Sequence, residues 1–506
     1  MANPETDTWV YKPREPDGWI QAILWYASAV FACLFVALIN NGPLYYFDTA
    51  GYLEQGQSTL ASIGLFTDTA LGAEGGGGNS AVPDGVVIGS RSAIYSAIIT
   101  FLNFTTGINA MILLHVAALI VSVWLVARAA SRQFQHGRSI AATTAIPILF
   151  AAFGSLPFYT AYLMPDIFAP ILILIASTLA IFSRDMSRME ILIAVVLGAI
   201  AVITHPSHLL IAAFLIPVSA IASLTMARAK WWLAPVLVAL ITLTGLAERA
   251  LFTGAVKTTQ SSDVIYQPFL TARTIADGPG LAVLNANCPN TEIPTCILYD
   301  MLQRSDDPWR LTASHIMFER DPELGSYKLL SLEEQRVVAE DQIPFFLRVL
   351  REKPIALTGA FLRNTLDQAN LFSIQYTIPT SQTLENVNNI TDLAPASFAQ
   401  TRLLDQRTSL GWLTIVHGAV YAASALLVVV VVVLPQKAPP LALRAFAMVV
   451  LIGVLINAFV CGGVSQPSDR YGARVAFLLP IATSFIILFY SGVRVRKTED
   501  DINDLT

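Results

Sequence analysis

Long apolar runs, broken by short polar punctuation, dominate the chain. Ten of them reach or approach the ~20 residues needed to cross a bilayer as α-helix. They fall near 19–41, 107–128, 140–158, 162–182, 189–204, 208–226, 232–252, 411–434, 443–462 and 473–493. The runs are continuous rather than alternating. Lipid tolerates only helices and closed barrels as spanning structures, so the pattern predicts an all-α polytopic membrane protein. Between spans lie two long stretches, 42–106 and 253–410. The second contains "SLEEQRVVAEDQIPFFLRVLREKP" (331–354), whose apolar spacing suits an amphipathic helix lying against the membrane or against its neighbours. The chain therefore divides into an N-terminal transmembrane module (1–252), a mostly helical outer segment (253–410) and C-terminal transmembrane helices with a tail (411–506). No sequence repeat of fixed period interrupts this plan.

Composition agrees with the pattern. Of 506 residues, 54% are hydrophobic and 13% charged, about half the charged share of a soluble chain. Mean hydropathy is +0.58. Basic residues then orient the spans. Lys12 and Arg14; Arg128, Arg132 and Arg138; Arg184 and Arg188; Arg228 and Lys230; Lys437 and Arg444; and Arg494, Arg496 and Lys497 occupy alternate connections. Short cytoplasmic loops carry such an excess, so both termini are expected in the cytoplasm and both long stretches on the opposite side. The first residues lack a signal peptide's basic region and adjoining apolar core, which makes the first helix an expected uncleaved signal-anchor. The net charge of -5 comes with no basic block, so no nucleic-acid partner is implied.

Cysteine usage fits that topology. Cys288 and Cys296 in "NCPNTEIPTC" lie eight residues apart on the expected outer side and can close a small disulfide loop, or remain free thiols. Cys33 and Cys461 fall in spans and read as small apolar residues. The glycine run in "GAEGGGGNSAVPDG" (72–85) reads as a flexible lid or a spacer, and no Gly-Lys-Ser/Thr follows it to make a phosphate loop.

Five polar clusters reach the same outer face on this topology. They are Asp48 and Glu54 in "GPLYYFDTAGYLEQG", Asp166 in "YLMPDIF", His205 and His208 in "THPSH", Glu248 and Arg249 in "LAERALF", and Asp469, Arg470 and Arg474 in "SQPSDRYGAR". Ionisable groups near span ends are functional candidates. Each also has a structural reading. Asp166 follows Pro165 and could cap its helix. His205 and His208 flank Pro206 at a tight turn. Arg470 and Arg474 share a helical face and need an anionic partner, either a phosphate or the acids Asp48 and Asp166. Tyr46, Phe47 and Tyr52 suit an interfacial aromatic belt, or with Tyr45 the wall of a sugar or lipid pocket. Other schemes lack their motifs: there is no G-x-S-x-G elbow, no HExxH, no Cys/His metal spacing and no pair of matching broken helices. A carboxylate near basic groups at a membrane face suits a lipid-phosphate substrate, with a general base to take an acceptor proton and cations to stabilise the departing phosphate.

Several segments, in order, carry a family resemblance: "YYFDTAGYL" after the first span, "SRSAIYSAIITFLNFTTGINAMILLHVAALIVSVWLVARAA" (90–130), "MPDIFAPILIL", "THPSHLL" and "SDRYGARVAFLLP". Together they resemble the GT-C superfamily of integral membrane glycosyltransferases, which use polyprenyl-phosphate-linked sugars and include lipid A aminoarabinose transferases and protein O-mannosyltransferases. The resemblance implies Asp48 as catalytic base and Asp166 as a second acid that helps position donor or acceptor. It implies His205, where the family often has Lys, and Arg470 as phosphate contacts. Tyr46, Tyr52, Glu54, His208, Tyr471 and Arg474 complete the implied substrate site. Asp48 with Glu54 or Asp166 could hold a divalent cation, Mg or Mn. The implied activity is inverting transfer of a sugar from a polyprenyl-phosphate donor to a lipid, glycan or protein acceptor, at the periplasmic face of a bacterial inner membrane. The alternatives are an O-antigen-type ligase or polymerase resting on Arg363 or His315, and a non-catalytic lipid or glycan transporter.

Overall fold

The structure, a computed structural model, describes residues 18–62, 64–65, 86–89, 91–134, 139–226, 230–260, 263–289, 292–390, 401–433 and 439–491. The glycine run 72–85, the acidic tail and the basic residues Lys12, Arg14, Arg138, Arg228, Lys437, Arg494, Arg496 and Lys497 lie outside them. The described chain is almost entirely helical. Its first half runs α1 (Trp19–Asn40), α2 (Phe47–Ser62), α3 (Ala93–Thr105), α4 (Asn109–Gln133), α5 (Ile140–Ala151), α6 (Leu156–Ala161), α7 (Phe168–Phe182, after the 3-10 turn Pro165–Ile167), α8 (Arg188–Ile203), α9 (Pro206–Thr225) and α10 (Leu233–Gln260). The outer segment adds α11 (Phe269–Ala276), α12 (Pro279–Asn287), α13 (Cys296–Leu302), α14 (Ala313–Phe318), α15 (Leu332–Glu340), α16 (Gln342–Glu352), α17 (Pro354–Asn370) and α18 (Ser381–Ile390). The last spans are α19 (Trp412–Val433), α20 (Leu441–Phe459, continued by a π turn Val460–Val464), α21 (Asp469–Ala476) and α22 (Leu478–Ser491).

Among the described residues, eight helices are long and apolar enough to cross a membrane. They are α1, α4, α7 with its leading turn, α9, α10, α19, α20 with its π turn, and the run through α21 and α22. The chain is thus a multi-pass helical membrane protein; two of the ten expected spans, 140–158 and 189–204, form helices too short to be among these eight. The run 140–158 is broken: α5 ends after 12 residues, and Pro157 opens the separate short helix α6. The run 189–204 forms the 16-residue α8, which at 1.5 Å per residue is about 24 Å long.

Packing explains the arrangement. The sequence of α7, "FAPILILIASTLAIF", is apolar on every side, and all of its residues are buried. A helix hydrophobic all round belongs at the centre, and α7 packs against α4, α8, α9, α10 and α20. Small residues permit these close approaches in lipid. A Cβ on Gly453 would meet the Ile173 side chain, and one on Gly198 would meet Ile241. Outer spans keep an exposed apolar face, such as Leu240, Leu243 and Leu246 on α10. The free thiols Cys33 and Cys461 are buried among the spans.

The outer segment has a second hydrophobic core built from residues of α11–α17. Cys288 and Cys296 are disulfide-bonded within it, their Cα atoms 5.7 Å apart. Two parallel strands, β1 (Val86–Ile88) and β2 (Asp263–Ile265), tie the first outer loop to this segment. The other tie is α17, which lies along the end of α20 and reaches α21. Three glycines make room for it. A Cβ on Gly462 would sit 2.5 Å from the Asn364 carbonyl oxygen, one on Gly463 2.4 Å from the Phe361 ring, and one on Gly472 1.7 Å from the Leu371 carbonyl oxygen.

The last contact yields a paired prediction. Gly472→Ala must push α21 away from α17 and should cost about 1–3 kcal/mol, read as a lowered thermal midpoint in detergent. Gly359→Ala, on α17 with nothing within 4 Å of the new Cβ, should be neutral or stabilise by up to ~1 kcal/mol. Equal midpoints for the two variants would contradict this packing.

Candidate functional site

Asp48 meets Asp166 because the loop after α1 is stitched to the loop before α7. Asn40, at the end of α1, donates from its side-chain amide to the carbonyls of Gly42 (3.2 Å) and Pro43 (2.9 Å), which turns the chain sharply. Leu44 then forms a parallel bridge with Tyr162: Leu44 N donates to Ala161 O and Leu163 N to Leu44 O, both at 2.9 Å. The Thr49 hydroxyl adds a bond to the Leu163 carbonyl at 3.3 Å. Asp48, in the first turn of α2, is thereby carried to the mouth of the buried turn that holds Asp166.

A ladder of guanidinium groups joins the two acids. Arg470 Nη1 donates to Asp48 Oδ2 at 2.6 Å, while its Nε and Nη2 hold Asp166 at 2.8–3.2 Å. Arg474 Nη1 donates to the other Asp166 oxygen at 3.1 Å. Arg474 also reaches Asn457 Oδ1 (2.9 and 3.1 Å) and the Ser207 hydroxyl (3.1 Å). On the outer side, Arg91 Nη2 lies 3.4 Å from Asp48 Oδ1. Three guanidiniums against two carboxylates leave a local excess of positive charge. Aromatic faces cover the cations: Arg470 lies 4.6 Å from the Tyr46 ring centre and 5.6 Å from that of Tyr471, and Arg474 lies 5.0 Å from Tyr471. The Tyr159 hydroxyl donates to the Arg470 carbonyl at 2.6 Å, which fixes the backbone from which that side chain projects.

Exposure sorts the expected residues into those that can meet a ligand and those that cannot. The Asp48 side chain keeps 38% of its surface and Arg91 18%. Burial alone would raise the Asp48 carboxyl, but Arg470 and Arg91 outweigh it and hold the group below the usual carboxylate range. Asp166 and Arg474 are fully buried, and both Asp166 oxygens are taken. This corrects two expectations: Asp166 is not placed to contact a donor or acceptor, and Arg474 is not placed to touch a substrate. Together they position Arg470, whose buried charge needs a fixed counter-ion. His208 is likewise sealed, its Nδ1 2.7 Å from the Ala201 carbonyl, and it locks the turn instead of lining a site. Tyr52 is buried against Tyr95, centres 5.1 Å apart, beneath Arg91. Glu54 lies six residues beyond Asp48, about 120° round the helix. Its Oε2 is buried without a hydrogen-bond partner, and it stays outside the ladder. His315 pairs with Glu319, and Arg363 is exposed on α17; among the described residues neither is bonded into the ladder.

Beside the ladder is a narrow cleft, partly open to solvent. Arg91, His205, Glu248, Arg249 and Tyr266 supply its polar wall, and Val202, Leu209 and Phe252 its apolar one. His205 caps α9 by accepting from Ser207 N at 3.2 Å. Burial and then Arg474 push its imidazole down to about 3, so it is neutral at physiological pH. The cleft presents Arg91 and Arg249 to an anionic group at its open edge, beside apolar side chains of α9 and α10. The donor set does not fit a divalent cation. Arg470 stands between the two carboxylates, and among the described residues no three His, Cys, Asp or Glu side chains converge.

Arg91 is the residue of the candidate site that sequence reasoning missed. Its signal was Gly51 in "FDTAGYL", three residues after Asp48. A Cβ there would lie 2.5 Å from Arg91 Cζ, so the glycine makes room for the guanidinium.

The sealed and open acids should differ in stability. Asp166→Asn leaves two buried guanidiniums short of their anion and should lose ~3–5 kcal/mol. Asp48→Asn removes a half-exposed partner and should lose about 1 kcal/mol or less. Thermal unfolding in detergent checks the ranking, and a larger loss for Asp48→Asn would overturn it.

Comparison with protein-family models, with curated proteins and with solved structures finds no match to this chain. What the site can do follows from its own residues.

Proposed function

We propose that this protein is an inverting glycosyltransferase that takes a sugar from a polyprenyl-phosphate donor, at the periplasmic face of a bacterial inner membrane, and passes it to a lipid, glycan or protein acceptor. The observation that carries the reading is the placement of one half-exposed carboxylate, Asp48, between the guanidiniums of Arg470 and Arg91, with Arg91 also lining a cleft that has one polar and one apolar wall. A donor of this class has the matching shape: a phosphate for Arg91, an apolar tail for Val202, Leu209 and Phe252, and a sugar directed at Asp48.

In the proposed step the acceptor hydroxyl oxygen attacks the anomeric carbon while Asp48 takes its proton. The bond from that carbon to the phosphate oxygen breaks, and the polyprenyl phosphate leaves with the electron pair, stabilised by Arg91 and by Arg470. A carboxylate clamped by two cations is a poor base. A phosphate that competes for Arg91 loosens the clamp and raises the affinity of Asp48 for a proton, so donor binding itself prepares the base. Neutral His205 contributes a hydrogen bond rather than a charge.

The test is release of polyprenyl phosphate from a panel of labelled lipid-linked sugars by the protein in vesicles. Asp48→Asn should lower the rate by ~100-fold or more without loss of fold, and an unchanged rate would overturn the base assignment. The pH profile supplies a second readout. Asp48 is ionised above its lowered pKa, so its base form should disappear only below about pH 4. The stabilising part of its ion pairs is present above that range and is lost as pH falls through the lowered pKa. Between about pH 5 and 8 no step from His205 should appear, because its lowered pKa lies beneath the usual histidine value of ~6.5. A step near that value that vanishes in His205→Asn would contradict the neutral assignment.

A further inference from the structure

The outer segment carries a face that its own core does not use. On α16, Ile343, Leu347 and Leu350 are exposed; on α17, Ile355, Leu362 and Leu366 are exposed, with Ile355 at 87%. The spacing on each helix is that of a single face: i, i+4, i+7 on the first and i, i+7, i+11 on the second. The opposite faces, with Phe345, Val349 and Leu357, belong to the second hydrophobic core. Two helices joined at Lys353 and Pro354 thus each turn a row of three large apolar side chains outward.

Two observations say what covers this row. The first is continuity with the lipid-facing surface of the spans. A run of ring contacts leads from Phe214 on α9, itself 43% exposed, to Phe459 on α20 (5.5 Å), to Phe361 on α17 (6.1 Å) and to Phe346 on α16 (6.0 Å). Along this run α17 packs directly on α20 and its π turn, through Gly462 and Gly463. The second is charge. Over 342–370, Arg348, Arg351, Lys353 and Arg363 face only Glu352 and Asp367. Arg351, Lys353 and Arg363 are exposed beside the apolar row. Apolar side chains edged by cations suit acyl chains edged by anionic headgroups.

We infer that α16 and α17 are seated in the bilayer leaflet on the side of the candidate site, their exposed face against acyl chains and Arg351, Lys353 and Arg363 among lipid phosphates. The inference rests on the membrane topology and not on the proposed transferase activity. Its consequence reaches the site through α17. Gln368 exchanges two hydrogen bonds with Ser468, both 2.9 Å, and Ser373 N donates to Asp469 at 2.8 Å. The helix held by these bonds begins at Asp469 and carries Arg470. A lipid-seated α17 is therefore the support against which Arg470 is set.

The experiment uses the full chain with its disulfide intact, in vesicles of phosphatidylcholine and phosphatidylglycerol. Single cysteines replace Leu347, Ile355 and Leu362, and Glu333 on α15, 68% exposed, serves as reference. Native Cys33 and Cys461 are buried and do not compete for the nitroxide label. Collision rates with dissolved oxygen, which partitions into acyl chains, and with a water-soluble nickel chelate are read at each site. The inference expects oxygen to dominate at all three row positions and nickel at 333. Nickel dominance at the row positions would overturn it by placing the face in water. Protection from both reagents would also overturn it, by placing a protein partner or a second copy there. Rescue of the wild-type melting profile in each labelled variant excludes misfolding as the source of any result.

Discussion

The pairing of Arg470 with Asp166 and Asp48 is the interaction on which the rest depends. A guanidinium is too strongly charged to be left at membrane depth without anions, and Arg470 is only 7% exposed. Its placement requires Asp166 at the start of the central span, Asp48 at the start of α2, and Arg474 to balance the second oxygen of Asp166. Each requirement passes to the fold. Asp166 needs the Leu44–Tyr162 bridge beside it, Arg474 needs Asn457 and Ser207, and Arg470 needs a backbone pinned by Tyr159 and α17. Loosening any of these moves the charge on which the site is built.

The ladder also separates two roles that acids and bases at a membrane face can have. Asp166 and Arg474 are fully enclosed, so their charges are constant and their positions fixed. Asp48 and Arg91 stand at the edge, partly solvated, where an arriving anion can compete for their pairing. The interior pair is a template and the outer pair is exchangeable. Low dielectric around the template strengthens each bond in it, and this keeps Arg470 from following a ligand when the outer pair opens.

Much of this was legible in the chain because hydrophobic patterning is a one-dimensional signal. The spans α1, α4, α9, α10, α19 and α20 lie where the apolar runs predict, and Asp48, Asp166, His205 and Arg470 gather as shared placement at one end of the spans required. One span was over-read. In 140–158 composition stays apolar while Gly154, Ser155 and Pro157 break the helix, and averaging over a window hides such a break. Within the site, sequence could not rank burial. Asp166 and Asp48 look alike as letters, and so do Arg470 and Arg474, yet one of each is enclosed by residues hundreds of positions away. Arg91 was missed for the same reason. Its neighbours in sequence give no hint of Asp48, and only the gap at Gly51 marks where it goes.

The bond between Asp48 and Arg470 joins residues 422 positions apart. Asp48 follows α1, and Arg470 opens the run through α21 and α22. Until α21 is made, Asp166 stands without the cations that will hold it, and Asp48 has only Arg91. The Arg470 and Arg474 rungs close together when that run inserts. A chain cut short before that point keeps most of its hydrophobic packing but leaves Asp166 unbalanced and Asp48 with Arg91 alone.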